Sequence, residues 1–250
     1  MFTPDERTLI RGKLLEFAGS DKRISGAAIT GSAAAHREDR WSDIDLAFGV
    51  RDGDEMSDVI VDWTARMYGN FSALHHLDVR SGAWLYRVFI LPNTLQVDLA
   101  FVPAEEFRAL TPTFQLVFGE AKEPQHVTPP AAEHLIGLGW LYALHARSCI
   151  AREKLWQAEF MVSSIRDSAL ALAALRHGFP TAYGRGFDQL PREVTEKFES
   201  ALVRELEAKE IARAFKVAVT GLLVEIRSAD ASIANRLEFA LIELTKAESE

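Results

Sequence analysis

Apolar positions recur at two different periods in the two halves of the chain. Residues 3–18 read as a helix. Thr3 is a capping residue, Pro4 suits a first turn, and Leu9, Ile10, Leu14, Leu15 and Phe17 form a helical stripe. Residues 24–30 are short, apolar and bounded by glycine, which predicts a strand. A run of small residues, Ala33-Ala34-Ala35, predicts one or two helical turns. Residues 43–50 alternate acid and apolar side chains, Asp43-Ile44-Asp45-Leu46, at strand period. A helix is expected over 54–68, with Val59, Ile60, Trp63 and Met67 on one side. Three further strands are expected over 74–79, 84–91 and 95–102, with Pro92-Asn93 turning the chain between the last two.

The pattern changes after residue 110. Residues 111–130 hold four prolines and no clear period, so they read as a connection with one small element at 114–118. Helix-period apolar positions then dominate residues 131–150, 152–177, 192–228 and 232–246, and the third of these spans is long enough for two helices. Gly178-Phe179-Pro180 and Gly184-Arg185-Gly186 separate the second and third spans. The expected organisation is α+β: a mixed α/β domain over residues 1–110, then an α-helical domain over 111–250.

Composition narrows the function classes. Of the 250 residues, 28 are Lys or Arg and 36 are Asp or Glu, a net charge of -8. A chain that coats duplex nucleic acid needs a basic face, so that partner is not expected. Nucleotides stay open, because a metal ion can neutralise their phosphates locally. The single Cys149 excludes an internal disulfide framework. No apolar run is long enough to span a bilayer, and residues 1–5 lack a signal-peptide pattern. A cytoplasmic protein with no membrane partner is the expectation.

The chemistry concentrates in Gly31-Ser32, ten further residues, Asp43-Ile44-Asp45, and a later Asp98 within Gln96-Val97-Asp98-Leu99. Asp43 and Asp45 are two apart on a strand, so both point to one face, about 6.5–7 Å apart. Two carboxylates facing an apolar core would be costly. A cation resolves their repulsion, and Mg²⁺ prefers one or two carboxylates plus water and phosphate oxygens. Asp98 on a neighbouring strand would complete a three-carboxylate cluster able to hold two Mg²⁺ ions, about 4 Å apart. Gly31 permits close backbone approach, the following helix offers free N–H groups, and Ser32 adds a hydroxyl; together they suit phosphate.

A strand, Gly-Ser, a spacer, Asp-x-Asp on the next strand and a later strand-borne Asp together resemble the nucleotidyltransferase superfamily that includes DNA polymerase beta. The resemblance covers residues 24–102. It implies a small mixed β-sheet with helices on one side as the N-terminal catalytic domain. It implies that Gly31 and Ser32 hold a triphosphate and that Asp43 and Asp45 bind metal. Asp98 would then bind a second metal or act as base. Gln157-Ala158-Glu159-Phe160, Arg166-Asp167 and Gly184-Arg185-Gly186-Phe187-Asp188 look similar to the helical domain of small-molecule nucleotidyltransferases that modify aminoglycosides and lincosamides. That likeness implies Glu159 as base toward an acceptor hydroxyl, against the plainer reading of a helix-surface ion pair. Arg152 and Arg166 would either reach the triphosphate or be solvated or paired.

The expected reaction is therefore Mg²⁺-dependent transfer of a nucleoside monophosphate, AMP from ATP, to a hydroxyl of a small molecule such as an antibiotic. The alternative is a nucleotide-binding regulator, or a toxin–antitoxin-type nucleotidyltransferase that modifies a protein. A monomer or a homodimer is expected. His75-His76 sits on a strand and points to opposite faces, so the pair cannot share one metal. His134, His145, Trp84, Trp140 and Trp156 read as structural, and Arg37, Arg40 and Trp41 as a solvated loop.

Overall fold

The computed structural model describes residues 1–246. The chain divides into two compact units, Met1–Val127 and a second that begins at Thr128. The first contains, in order, α1 (Pro4–Ser20), β1 (Ile24–Thr30), α2 (Gly31–Ala34), β2 (Ile44–Val50), α3 (Met56–Phe71), β3 (His75–Ser81), β4 (Trp84–Ile90), β5 (Gln96–Pro103) and β6 (Phe114–Phe118). The second contains α4 (Ala132–Ala151), α5 (Leu155–Arg176), α6 (Arg192–Glu199), α7 (Ala208–Ala229) and α8 (Ala231–Leu244). This is the α+β class expected from the patterning.

Helix α1 starts where the sequence signals it. The Glu6 N–H donates to Thr3 Oγ1 at 3.2 Å, and the Thr3 N–H donates back to Glu6 Oε2 at 2.7 Å. This reciprocal cap satisfies two amides that the first helical turn leaves without partners.

The sheet order is β3-β4-β5-β2-β1-β6. Strands β2 and β5 run parallel; the other neighbours run antiparallel. Alternation sorts the side chains. Ile44, Leu46, Phe48 and Val50 of β2 join Val97, Leu99 and Phe101 of β5 in one core with Leu14 of α1 and Val59, Trp63 and Met67 of α3. The Phe48 and Trp63 rings lie 4.7 Å apart. Helices thus cover this face.

The opposite face carries small residues, Ala28, Ala47 and Ala100, with Trp84, Val102 and Phe107. The Phe107 ring packs closely against β1 and β2 because Gly26 and Gly49 have no side chains there. A Cβ on either would stand only 2.8 or 3.0 Å from the ring carbons.

The first unit runs 17 residues beyond the expected boundary at 110, ending at 127. The reason is β6, which pairs antiparallel with β1 and so makes the connection part of the sheet.

In the second unit, buried alanines allow close helix approach: Ala143 and Ala146 on α4, Ala158, Ala169 and Ala173 on α5, and Ala214 and Ala218 on α7. Helices α5 and α7 are also tied by an Arg176–Glu225 ion pair at 2.9 Å, with Glu225 buried.

One local expectation changes, and one left open is resolved. Arg152-Glu153-Lys154 does not open a helix; it forms the turn between α4 and α5. Glu153 has φ 54°, and the amides of Arg152 and Lys154 both donate to the Cys149 carbonyl. The span 192–228 is two helices, broken over 200–207. Arg213 holds the break, donating to the carbonyls of Ser200 and Leu202, while Glu210 accepts from the Arg204 amide.

Among the described residues no helix is long and apolar enough to cross a membrane.

Candidate active site

The acid face of the sheet is built by register. Asp45 on β2 is directly opposite Asp98 on β5 in the parallel pair, so both side chains leave the same face. Neighbouring strands lie roughly 4.8 Å apart, which sets the backbone separation of the two acids. Asp43 immediately precedes β2, two residues before Asp45. Ile44 and Leu46 point the other way, into the helix-covered core.

Each acid has a different setting. Asp43 Oδ2 accepts from Gln96 Nε2 at 3.1 Å. In Asp98, Oδ1 is buried and has no hydrogen-bond partner. Burial pushes the Asp98 carboxyl up to about 6, and the negative charge of Asp43 adds to the rise. Its ionised form is thus held where charge is poorly tolerated. Tyr86 on β4 is raised as well, by burial and then by the Asp98 charge.

Gly31 opens the short α2 with φ +64°, a left-handed backbone that favours glycine. A Cβ there would overlap the Asp45 carboxylate. The bare glycine lets the turn lie against the acid. Next to it, Ser32 Oγ is buried without a hydrogen-bond partner, while the Ser32 carbonyl accepts from the Arg37 amide at 2.9 Å. Gly31→Ala is expected to lower stability by at least about 1 kcal/mol from backbone strain alone. Denaturant unfolding of the two proteins measures it.

The three acids, Gly31 and Ser32 therefore share one end of one sheet face. They do not form a closed metal cage: among the described residues, no three His, Cys, Asp or Glu side chains stand in a metal-holding group. The three-carboxylate cluster expected from the sequence is thus not formed as a metal-holding group; the acids share a sheet face, one Asp98 oxygen has no hydrogen-bond partner, and Asp43 is turned to Gln96.

The remaining expected residues lie on the second unit. Glu159 on α5 accepts from Ser163 Oγ at 2.8 Å, so its partner is a hydroxyl of its own helix. Arg166 is paired with Asp167 at 2.8 Å, the plainer of its two readings. Arg152 is exposed on the α4–α5 turn. With His145, Ser148, Cys149, Lys154 and Gln157 it lines an open cavity of about 290 Å³.

Sequence reasoning missed two residues near the acids. Gln96 stands two before Asp98 and so faces the same way, a signal that alternation offers. Arg7 interrupts the buried stripe of α1, seven residues before Leu14.

No family model matches the chain, and no curated protein matches it in sequence. Among solved structures it is similar to the crystal structure of an aminoglycoside 6-adenyltransferase from Bacillus subtilis. The identity is 13%, the TM-score is 0.40, and the match covers 94% of this chain and 96% of that one.

Proposed function

We propose that this protein is a Mg²⁺-dependent nucleotidyltransferase that moves a nucleoside monophosphate, AMP from ATP, to a hydroxyl of a small molecule and releases pyrophosphate. One observation carries the reading: a buried Asp98 oxygen without a partner, on the same strand face as Asp45 and within the field of Asp43. Placing carboxylates together in a poorly hydrated setting costs free energy unless a cation or a proton compensates. The donors are hard oxygens only, which fits Mg²⁺ better than a softer metal.

Asp43, Asp45 and Asp98 are the residues that would hold two Mg²⁺ ions. Bound there, the metal would supply charge neutralisation of the triphosphate and polarisation of the α-phosphoryl group. The chain's own residues do the positioning. Ser32 Oγ, without a hydrogen-bond partner, is the donor proposed for a phosphate oxygen, and Gly31 is proposed to hold the triphosphate with it as the sequence resemblance implies. Arg152, exposed beside Lys154, is free to meet phosphate charge; Arg166 would first have to leave Asp167.

Glu159 is proposed as the base that takes the proton from the acceptor hydroxyl, with Asp98 as the other candidate. A placed base contributes about 10²–10⁴-fold. Glu159→Gln is therefore expected to lower kcat by about 10²-fold or more with little change in nucleotide KM. Steady-state kinetics check this, and an unchanged kcat moves the role to Asp98.

An aminoglycoside or lincosamide acceptor is the favoured class, on the sequence resemblance of the helical unit and on the net charge of -8, which suits a cationic molecule. The test is incubation of the purified protein with labelled ATP, Mg²⁺ and a panel of both antibiotic classes. Labelled small molecule supports the proposal. Label on protein would favour the regulator or toxin–antitoxin reading. Absence of Mg²⁺-dependent nucleotide binding would overturn both.

A further inference from the structure

Arg7 lies on α1, outside the residues assigned above, and its side chain is only 5% exposed. A buried guanidinium is costly unless its N–H groups find acceptors. Its acceptors all come from one short segment, residues 38–42. Nη1 donates to the Asp39 carbonyl at 2.6 Å and to the Ser42 carbonyl at 3.0 Å. Nε is buried and makes no hydrogen bond, although it stands 3.0 Å from Glu38 Oε1 as an ion pair, and Arg11 Nη1, one turn further along α1, donates to the same oxygen at 2.6 Å.

The segment so held is already folded on itself. The Asp39 amide donates to Ser42 Oγ at 2.9 Å, the Trp41 amide donates to Asp39 Oδ1 at 2.8 Å, and Ser42 Oγ donates to Asp39 Oδ1 at 3.0 Å. These bonds hold the Asp39 carboxyl below its usual range, those from Trp41 and Ser42 being the largest causes.

The position of the second carbonyl matters most. The Ser42 oxygen belongs to the planar peptide unit that leads into Asp43. Fixing that oxygen fixes the plane from which the Asp43 Cα departs. Little freedom then remains between the α1 anchor and the Asp43 carboxylate, which bonds Gln96 on β5. Arg7 is also the one charged residue among the three that α1 buries. Helix packing alone would be served there by an apolar side chain.

We propose that Arg7 is a positioning residue for Asp43: by holding the Ser42–Asp43 peptide it presents the Asp43 carboxylate to the divalent-cation site and sets the affinity of that site. The inference rests on the metal reading given under the proposed function. It assigns Arg7 no contact with substrate or metal.

The test uses the full chain, with Mn²⁺ as the probe ion. Arg7→Lys keeps the charge and loses the fork that spans two carbonyls. Arg11→Met removes the neighbouring ion pair and leaves both carbonyl contacts. Mn²⁺ affinity is measured by calorimetric titration, and loop order by amide hydrogen exchange at Asp39, Trp41 and Asp43. Residues that orient metal ligands typically change metal affinity by about 10–100-fold when altered. Arg7→Lys is expected to weaken Mn²⁺ binding by about 10-fold or more and to speed exchange in 38–43, with β2 and β5 exchange unchanged. Arg11→Met is expected to keep Mn²⁺ affinity within about twofold.

Faster loop exchange in Arg7→Lys with unaltered Mn²⁺ affinity would overturn the inference and leave Arg7 as a structural residue only. Should Arg7→Lys fail to fold, Arg7→Gln keeps an N–H donor without a charge to bury and cannot span both carbonyls, and unaltered affinity there overturns the inference equally. A wild-type protein that binds no Mn²⁺ sinks the metal reading itself. That result is read from the wild type alone, so the two failures are told apart.

Discussion

Asp43→Asn and Asp45→Asn are each expected to reduce nucleotidyl transfer by about 10³-fold or more, because the reaction depends on charge neutralisation that an amide cannot provide. Asn keeps the size and one acceptor oxygen of each side chain, so Gln96 can still bond at position 43. The fold should therefore persist, and far-UV circular dichroism alongside steady-state assays separates lost chemistry from lost structure. Full activity in either variant would remove the metal assignment. Arg152 and Arg166 make a useful contrast. They act only as charges toward phosphate in this reading, so their substitution should raise nucleotide KM more than it lowers kcat.

Asp98→Asn should cost activity to a similar degree and yet stabilise the metal-free protein. The folded carboxyl sits at about 6 because burial and then Asp43 disfavour its charge, whereas an unfolded Asp titrates near 3.9. The sign follows from proton binding. Below about pH 3 the group is almost wholly neutral in both states and carries little penalty. Between about pH 3 and pH 7 the unfolded chain ionises first, so wild-type stability falls as pH rises; above that window the loss is complete. Asn has no such window. Its advantage should grow to about 1–3 kcal/mol at pH 7 and all but vanish at about pH 3. Chemical denaturation at both pH values in the presence of a chelator measures it. Adding Mg²⁺ should stabilise the wild type by mass action and leave Asp98→Asn behind, reversing the order. A variant less stable than the wild type at pH 7 without metal would show that burial of Asp98 is repaid by protein contacts.

Local signals in the sequence reached far into this fold. The Thr3–Glu6 cap, the 24–30 strand and the acid–apolar alternation at 43–46 each follow from short-range chemistry, and each element forms where those signals lie. The facing of Asp43 and Asp45 away from the core was legible for the same reason. What pairs with what was not. The register that sets Asp45 against Asp98 joins strands more than fifty residues apart, and β6 joins the sheet through β1 rather than through any neighbour in sequence. The helix break at 200–207 depends on Arg213 reaching back to two carbonyls, a tertiary contact that periodicity does not encode. The turn at 152–154 depends on a left-handed glutamate, which no residue preference announces. Arg7 was legible only as an anomaly, a charge on a buried stripe.

Strands β2 and β5 are parallel neighbours, and parallel strands cannot be joined by a tight hairpin. The chain must first lay down α3 and the β3–β4 hairpin before β5 can dock along β2. A nascent chain that ends before Gln96 carries Asp43 and Asp45 on a strand whose β5-side edge is unsatisfied, and it has no third acid. The pairing of β5 with β2 is thus the same event that sets the third acid beside the other two. During synthesis the polypeptide cannot gather its three acids ahead of its architecture.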